Sequence, residues 1–180
     1  MEIIRKRPNQ HGGNNTAIDM SKKIFDILDV NYLGIDYGSK RVGISIYHGD
    51  VKLVLPMKAI VTECDDERVE KICTMVKENN IDGIAIGYPL NMDGTRGDKT
   101  KQVDRFIGIL SNRLPSNIKI NLVDERLTSE QATNEQKLFY AKQSASKTRK
   151  RRNRGIIDSQ AAMIILEDFL WELELKNNGQ

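Results

Sequence analysis

Cysteine and histidine are scarce in this sequence: Cys64, Cys73, His11 and His48 are the whole complement in 180 residues. Two cysteines cannot build a disulfide framework, so a reducing compartment is expected. No Cys/His spacing suits zinc, and both histidines stand alone. Long apolar runs are also missing. No stretch approaches the ~20 residues needed to cross a bilayer, and no membrane partner is expected. The first residues, MEIIRKRPNQ, lack the apolar core of a secretory signal. Asp19, Asp26 and Asp29 argue against an organelle transit peptide, which leaves a cytoplasmic location as the expectation. There is no glycine-rich phosphate loop of the P-loop kind, and no internal repeat.

What is present describes one folded domain. Hydrophobic residues make up 39% and charged residues 29%, a balance that supports a core and argues against disorder. The net charge of +3 is unevenly placed. Lys147, Arg149, Lys150, Arg151, Arg152 and Arg154 crowd into eight positions, and no acid occurs between Lys137 and Arg154. Without this run the chain is acidic on balance. A basic run is often only a solvated loop; beside a catalytic acid it would hold a polyanion.

Periodicity organises the rest. Residues 1–31 read as an N-terminal extension with a Gly/Asn-rich stretch and a short helical segment from Ile18 to Leu28, weakly ordered. A buried strand is predicted at Leu33–Ile35, returning as Val42–Tyr47. His48-Gly49-Asp50 turns the chain into a third strand at Val51–Leu55, which resumes through Ala59–Val61. Helices are predicted over Asp65–Glu78, Lys99–Arg113, Ser129–Tyr140 and Ile157–Lys176. Gly83–Ile86 and Ile118–Val123 are the remaining strands. Three antiparallel strands followed by alternating helices and strands imply an α/β domain, residues 32–176, built on one mixed sheet with helices on its faces. Residues 177–180 form a tail.

Acidic residues fall where these elements end. Asp36 closes the first strand, and Asp124 and Glu125 close the last, positions where α/β sheets gather functional groups. Asp158 opens the final helix and shares a face with Ala162, Ile165 and Phe169. Carboxylates converging at one sheet end repel one another, and hard oxygen ligands of this kind suit Mg²⁺ or Mn²⁺. Each also has a plainer reading. Asp36 can satisfy turn amides, Asp124-Glu125-Arg126 can be an internal ion pair, and Asp158 can be a helix cap. Lys40, Arg41 and Arg126 are candidate phosphate contacts. Tyr88 either stacks on a base or packs into the protein.

Four stretches then resemble a known family: Gly34-Ile35-Asp36-Tyr37-Gly38-Ser39-Lys40-Arg41-Val42-Gly43, Gly87-Tyr88-Pro89-Leu90-Asn91-Met92-Asp93-Gly94-Thr95, Asp124-Glu125-Arg126-Leu127-Thr128-Ser129 and Asp158-Ser159-Gln160-Ala161-Ala162. In this order, over roughly residues 32–172, they are similar to the YqgF/RuvX family, described as Holliday junction resolvases and as pre-16S ribosomal RNA nucleases. The resemblance implies an RNase H-like fold with five strands. It also implies Asp36, Glu125 and Asp158 as catalytic metal ligands. Neighbouring strand residues face opposite ways, so one of Asp124 and Glu125 should point away, and with the resemblance implying Glu125, Asp124 is the weaker candidate.

The expected activity is therefore metal-dependent, two-metal-ion cleavage of a structured nucleic acid, with the 5′ end of pre-16S rRNA favoured and a four-way DNA junction as the alternative. Expected partners are pre-ribosomal RNA or branched DNA and ribosomal assembly intermediates, with the protein a monomer or homodimer. Two other classes compete. A nucleotide-binding module of the actin/sugar-kinase type shares the strand–Asp–Gly hairpin but needs two such domains. A non-catalytic ribosome-assembly factor would use the basic run yet gain nothing from carboxylates beside phosphate.

Overall fold

The computed structural model describes residues 30–126 and 154–178, with 154–158 and 177–178 as helical backbone only. Residues 1–29 of the predicted extension, the basic run up to 153, the helix at 129–140 and the end of the tail lie outside the described residues.

Six strands form one sheet: β1 (Tyr32–Tyr37), β2 (Arg41–His48), β3 (Leu53–Pro56), β4 (Ile60–Val61), β5 (Gly83–Tyr88) and β6 (Lys119–Asp124). The order across the sheet is β3-β2-β1-β5-β6, and β4 also pairs with β2. β3 takes Ser45–His48 and β4 takes Arg41–Val42, so the two short strands lie end to end along one edge of β2. The five expected strands are thus six segments in five positions. Proline at 56 cannot donate a ladder bond, and pairing breaks near it. β1 runs antiparallel to β2 and parallel to β5, and β5 runs parallel to β6.

Helices α1 (Asp65–Glu78) and α2 (Asp98–Ser111) cover one face. Val69, Ile72 and Val76 of α1 and Val103, Phe106 and Leu110 of α2 recur at helical spacing and close over Leu33, Ile35, Ile44, Ile84 and Ile86. Acids Asp65, Asp66 and Glu67 occupy the first turn of α1, where they complement the helix dipole. The long helix α3 (Arg154–Asn178) covers the opposite face. It begins three residues before the predicted Ile157, so Arg154 belongs to its first turn and not to a loop. With helices on both sides, β5 is buried at every residue, which explains its unbroken apolar run.

α3 lies close to the sheet because small residues let it. A Cβ on Gly34 would sit 2.7 Å from the Ala162 carbonyl oxygen and 2.8 Å from the Leu166 Cβ. The Ser45 hydroxyl, fully buried, donates to that same Ala162 carbonyl at 2.8 Å. The buried Ser159 hydroxyl donates to the Met57 carbonyl. At the other end of β1, Asn31 accepts from the amides of Gly49 and Asp82 and donates its own amide to the Asp82 carboxylate, tying the start of β1 to two neighbouring loops.

Candidate active site at the strand ends

Strand parity decides which acids meet. On β1, Leu33 and Ile35 face α1 and α2, while Gly34 faces α3. Asp36, two residues beyond Gly34, therefore stands on the α3 face. On β6, Val123 packs with Ile165 and Leu166 of α3, so Glu125 follows it onto the same face and Asp124 falls on the other.

β5 lies between them. In register, Ile86 pairs with Ile35 and Gly87 with Val123, which puts Gly87 level with Asp36 and just below Glu125. A Cβ on Gly87 would collide with the Glu125 Oε1 and lie 2.6 Å from the Ile165 Cδ1. Glu125 thus lies back across the bare backbone of Gly87 towards β1. Burial pushes its carboxyl above the ordinary value, the negative charge of Asp36 pushes further, Lys99 pulls it down, and Asp124 adds a smaller upward push. Two like charges share a half-buried place, with a lysine from the start of α2 beside them.

Asp124 has a different occupation. Both its oxygens accept from the Arg126 guanidinium, at 2.6–3.0 Å, and one accepts the Arg126 amide at 3.0 Å. The arginine holds this carboxyl below the usual range. Arg126 also approaches the 89–96 loop. Its Nη1 would lie 3.3 Å from a Cβ on Gly94, whose φ is +83°. The Asp93 carboxylate, which caps that turn through the Thr95 amide and hydroxyl, is drawn down mainly by those two bonds. Arg126 is therefore a clasp between β6 and the loop.

The register of α3 against β1 locates position 158. Phe169 packs edge-on against Tyr32, with ring centroids 5.1 Å apart, and Ala162 and Leu166 cover Gly34. The helix and the strand therefore run in opposite directions. One further helical turn, ~6 Å of rise, leads from Ala162 to Asp158. Two strand residues, ~6.6 Å, lead from Gly34 to Asp36. The two positions are level. Arg41 begins β2 on this same face, and Lys40 is exposed in the turn between β1 and β2. Lys147, Arg149, Lys150, Arg151 and Arg152 lie outside the described residues, as do the side chains of Arg154 and Asp158. Among the described residues no three metal-ligating groups cluster. The free thiols, Cys64 and Cys73, lie just before α1 and on it, respectively.

Sequence reasoning singled out neither Lys99 nor Gly87 as an individual residue. Lys99 carries no local signal, because only the crossover from β5 through α2 brings it to Glu125. Tyr88 is settled by burial. It is 7% exposed, its hydroxyl donates to Asp104 at 2.9 Å, and Arg96 lies over its ring. It packs into the protein and is not offered to a base.

A mixed sheet of this order, with helices on both faces and acids at the ends of its first and last main strands, has the fold of the RuvC-type, RNase H-like resolvases. The structure of Thermus thermophilus RuvC in complex with a Holliday junction superposes with a TM-score of 0.50 at 14% identity, over 79% of this chain and 94% of that one. At that identity the likeness establishes the fold. The family model described as RuvX, Holliday junction resolvase, matches residues 30–172, and the chain belongs to that family. Among its relatives, proteins named "Putative pre-16S rRNA nuclease" are 36% identical in Opitutus terrae, over 77% of this chain and 89% of that protein. The corresponding protein of Orientia tsutsugamushi is 37% identical over 88% of this chain and 89% of its own length. No helix among the described residues is long and apolar enough to cross a membrane.

Proposed function

We propose that this protein is a metal-dependent nuclease that trims the 5′ end of pre-16S rRNA, with Asp36, Glu125 and Asp158 as its catalytic carboxylates. The observation that carries this reading is Glu125 lying over Gly87, in register with Asp36, its carboxyl pushed up by the Asp36 charge. A protein that only bound nucleic acid would be weakened by carboxylates gathered where phosphates must come.

The donor set fits a hard divalent cation. A half-buried Glu125 carboxyl, pushed up by burial and by the charge of Asp36, is relieved by a positive charge, and oxygen donors suit Mg²⁺ or Mn²⁺. Asp36 and Glu125 would hold the ion, with Asp158 as third ligand. When bound, such ions supply an activated water and neutralise the phosphate charge. Asp124, whose oxygens are taken by Arg126, is left out of this ligand set. Lys99 faces the same space and is positioned to pair with a phosphate oxygen. Lys40 and Arg41, at the turn beside Asp36, extend this positive border, and the run from Lys147 to Arg154 would grip the more distant backbone.

The RNA substrate follows the relatives' names. The family description and the RuvC fold favour a second reading, cleavage of four-way DNA junctions. The test is cleavage of end-labelled substrates by wild type and Asp36→Asn. The panel holds a pre-16S 5′ fragment, a four-way junction and plain duplexes, each with Mg²⁺, Mn²⁺ or EDTA. Metal-dependent cutting of the RNA, lost in the variant, is the expected result. Cutting of the junction alone transfers the assignment to a resolvase. Binding without cutting under every condition, with ribosomal assembly intermediates included, leaves an assembly factor.

A further inference from the structure

Arg68 is an anomaly of the core. It sits on α1 among Val69, Ile72 and Val76 and is only 1% exposed. A buried guanidinium is costly unless its donors are all matched, and a well-packed apolar side chain is often as stable or better in such a place. Here the matching is nearly complete. Nε and Nη2 both donate to the Thr62 carbonyl, Nη2 also to the Ser39 carbonyl at 2.6 Å, and Nη1 to the Asp65 carboxylate at 2.7 Å. The guanidinium lies over the Tyr37 ring, 5.2 Å from its centroid. The Tyr37 hydroxyl closes the circuit by donating to the same Asp65 oxygen at 3.0 Å.

Two of these contacts, on Tyr37 and Ser39, fall within three residues after Asp36. Tyr37 is its neighbour on the opposite face of β1, and Ser39 lies in the turn that also carries Lys40. That turn is closed by the Gly38 amide bonding the Arg41 carbonyl at 2.9 Å. Arg68 therefore grips the turn from behind, from the face away from the carboxylates. From there it fixes the backbone without adding a cation to the site. Thr62, its third anchor, leads from β4 into α1, so the same side chain joins β1, β4 and α1 at the site's end of the sheet.

We infer that Arg68 is a positioning residue: through Ser39 and Tyr37 it holds the turn that sets Asp36 and Lys40 in place. This rests on the nuclease reading of Asp36. The fork geometry is essential, because lysine keeps the charge but cannot reach three acceptors at once.

The test compares full-length wild type, Arg68→Lys, Arg68→Met and Asp65→Asn. Folding is checked first by circular dichroism at low temperature. In the folded proteins three quantities are then read: amide hydrogen exchange at Gly38, Mn²⁺ binding by electron paramagnetic resonance, and kcat and KM for cleavage. In Arg68→Lys we expect exchange at Gly38 to rise at least tenfold and Mn²⁺ affinity to fall about fivefold. We also expect kcat to fall at least tenfold while KM stays within twofold. Asp65→Asn should show the same pattern at reduced size, and it decides the matter if neither Arg68 variant folds. Wild-type exchange and Mn²⁺ binding in a folded variant would overturn the inference and leave Arg68 a packing residue. If wild type itself neither binds Mn²⁺ nor cuts, the nuclease reading fails, while exchange at Gly38 still reports whether Arg68 orders the turn.

Discussion

Replacing Gly87 with alanine tests the site at its narrowest point. The added methyl would overlap the Glu125 Oε1 and stand 2.6 Å from the Ile165 Cδ1. Both are ends of flexible side chains, so the protein should still fold, at a cost of ~1–3 kcal/mol typical of an overpacked position. For a domain of this size that is a fall in Tm of about 3–10 °C. Ordinary contact requires Glu125 to retreat by roughly 1 Å, and a misplacement of that size in an active site lowers the rate about 100-fold. Single-turnover cleavage at saturating metal measures the loss directly. A double-mutant cycle with Glu125→Gln then isolates the cause. If Gly87 matters because it makes room for Glu125, adding Gly87→Ala to Glu125→Gln should cost little more. A folded Gly87→Ala enzyme cutting at the wild-type rate, or two losses that simply multiply, would refute the reasoning.

Other substitutions probe the remaining links. Asp36→Asn removes the neighbouring negative charge and should bring the Glu125 carboxyl down towards its ordinary value, followed by carboxyl-carbon NMR titration; an unmoved Glu125 would mean the two do not share a site. Gly34→Ala drives a methyl into the Ala162 carbonyl and the Leu166 Cβ, so it should cost ~3 kcal/mol and lower Tm by about 10 °C, and an unchanged Tm would deny the close approach of α3. Asp168, half-buried on α3 with one carboxyl oxygen lacking a hydrogen-bond partner among the described residues, has its carboxyl pushed up to about 6 by burial and by Glu167 and Glu172. The folded protein then keeps a proton that the unfolded chain loses near pH 4, so stability falls as pH rises from about 4 to about 6 and stays lower above it. Unscreened, the shift from 3.8 to about 6 equals about 3 kcal/mol; solvent screening of a half-exposed group reduces this to ~1 kcal/mol. Asp168→Asn should therefore raise Tm at pH 7.5 and not at pH 3.5, and an equal gain at both would refute the assignment. Neutralising the six basic residues from Lys147 to Arg154 should weaken nucleic-acid binding and flatten its salt dependence, measured by anisotropy across salt concentrations.

Most of the architecture was legible because burial on two faces leaves a plain record. The unbroken apolar run from Gly83 and the helical spacing of Val69, Ile72 and Val76 each report a single local environment. The ends were less legible. β1 extends to Tyr37 because its ladder with β2 continues to Val42, and α3 reaches back to Arg154, neither of which hydrophobicity marks. Within the site, the strand end made Asp36 a candidate, and parity said only that one of Asp124 and Glu125 points away; which one it is needed the packing of Val123 against α3. Lys99 and Arg68 were not legible. Each acts through a residue far away in the chain, and a lysine at a helix start or an arginine among apolar neighbours looks like an ordinary surface charge.

The two neighbours Asp124 and Glu125 show how one strand end can serve two purposes. Parity turns Asp124 away from α3, where Arg126 occupies both its oxygens, and turns Glu125 towards it. The longer side chain is the one that must cross a strand. β1 and β6 are two strand spacings apart, ~9.6 Å, and Glu125 reaches over β5 towards Asp36, close enough to feel its charge, only because Gly87 stands between them. The shorter aspartate suffices on the side where its partner is two residues away. The same face needs Gly34 one strand over, so that α3 can approach closely at Ala162 and Leu166. The close approach of the helix and the room that Glu125 occupies thus have one origin, the missing side chains on the α3 face of β1 and β5. A change at either glycine should be felt at both.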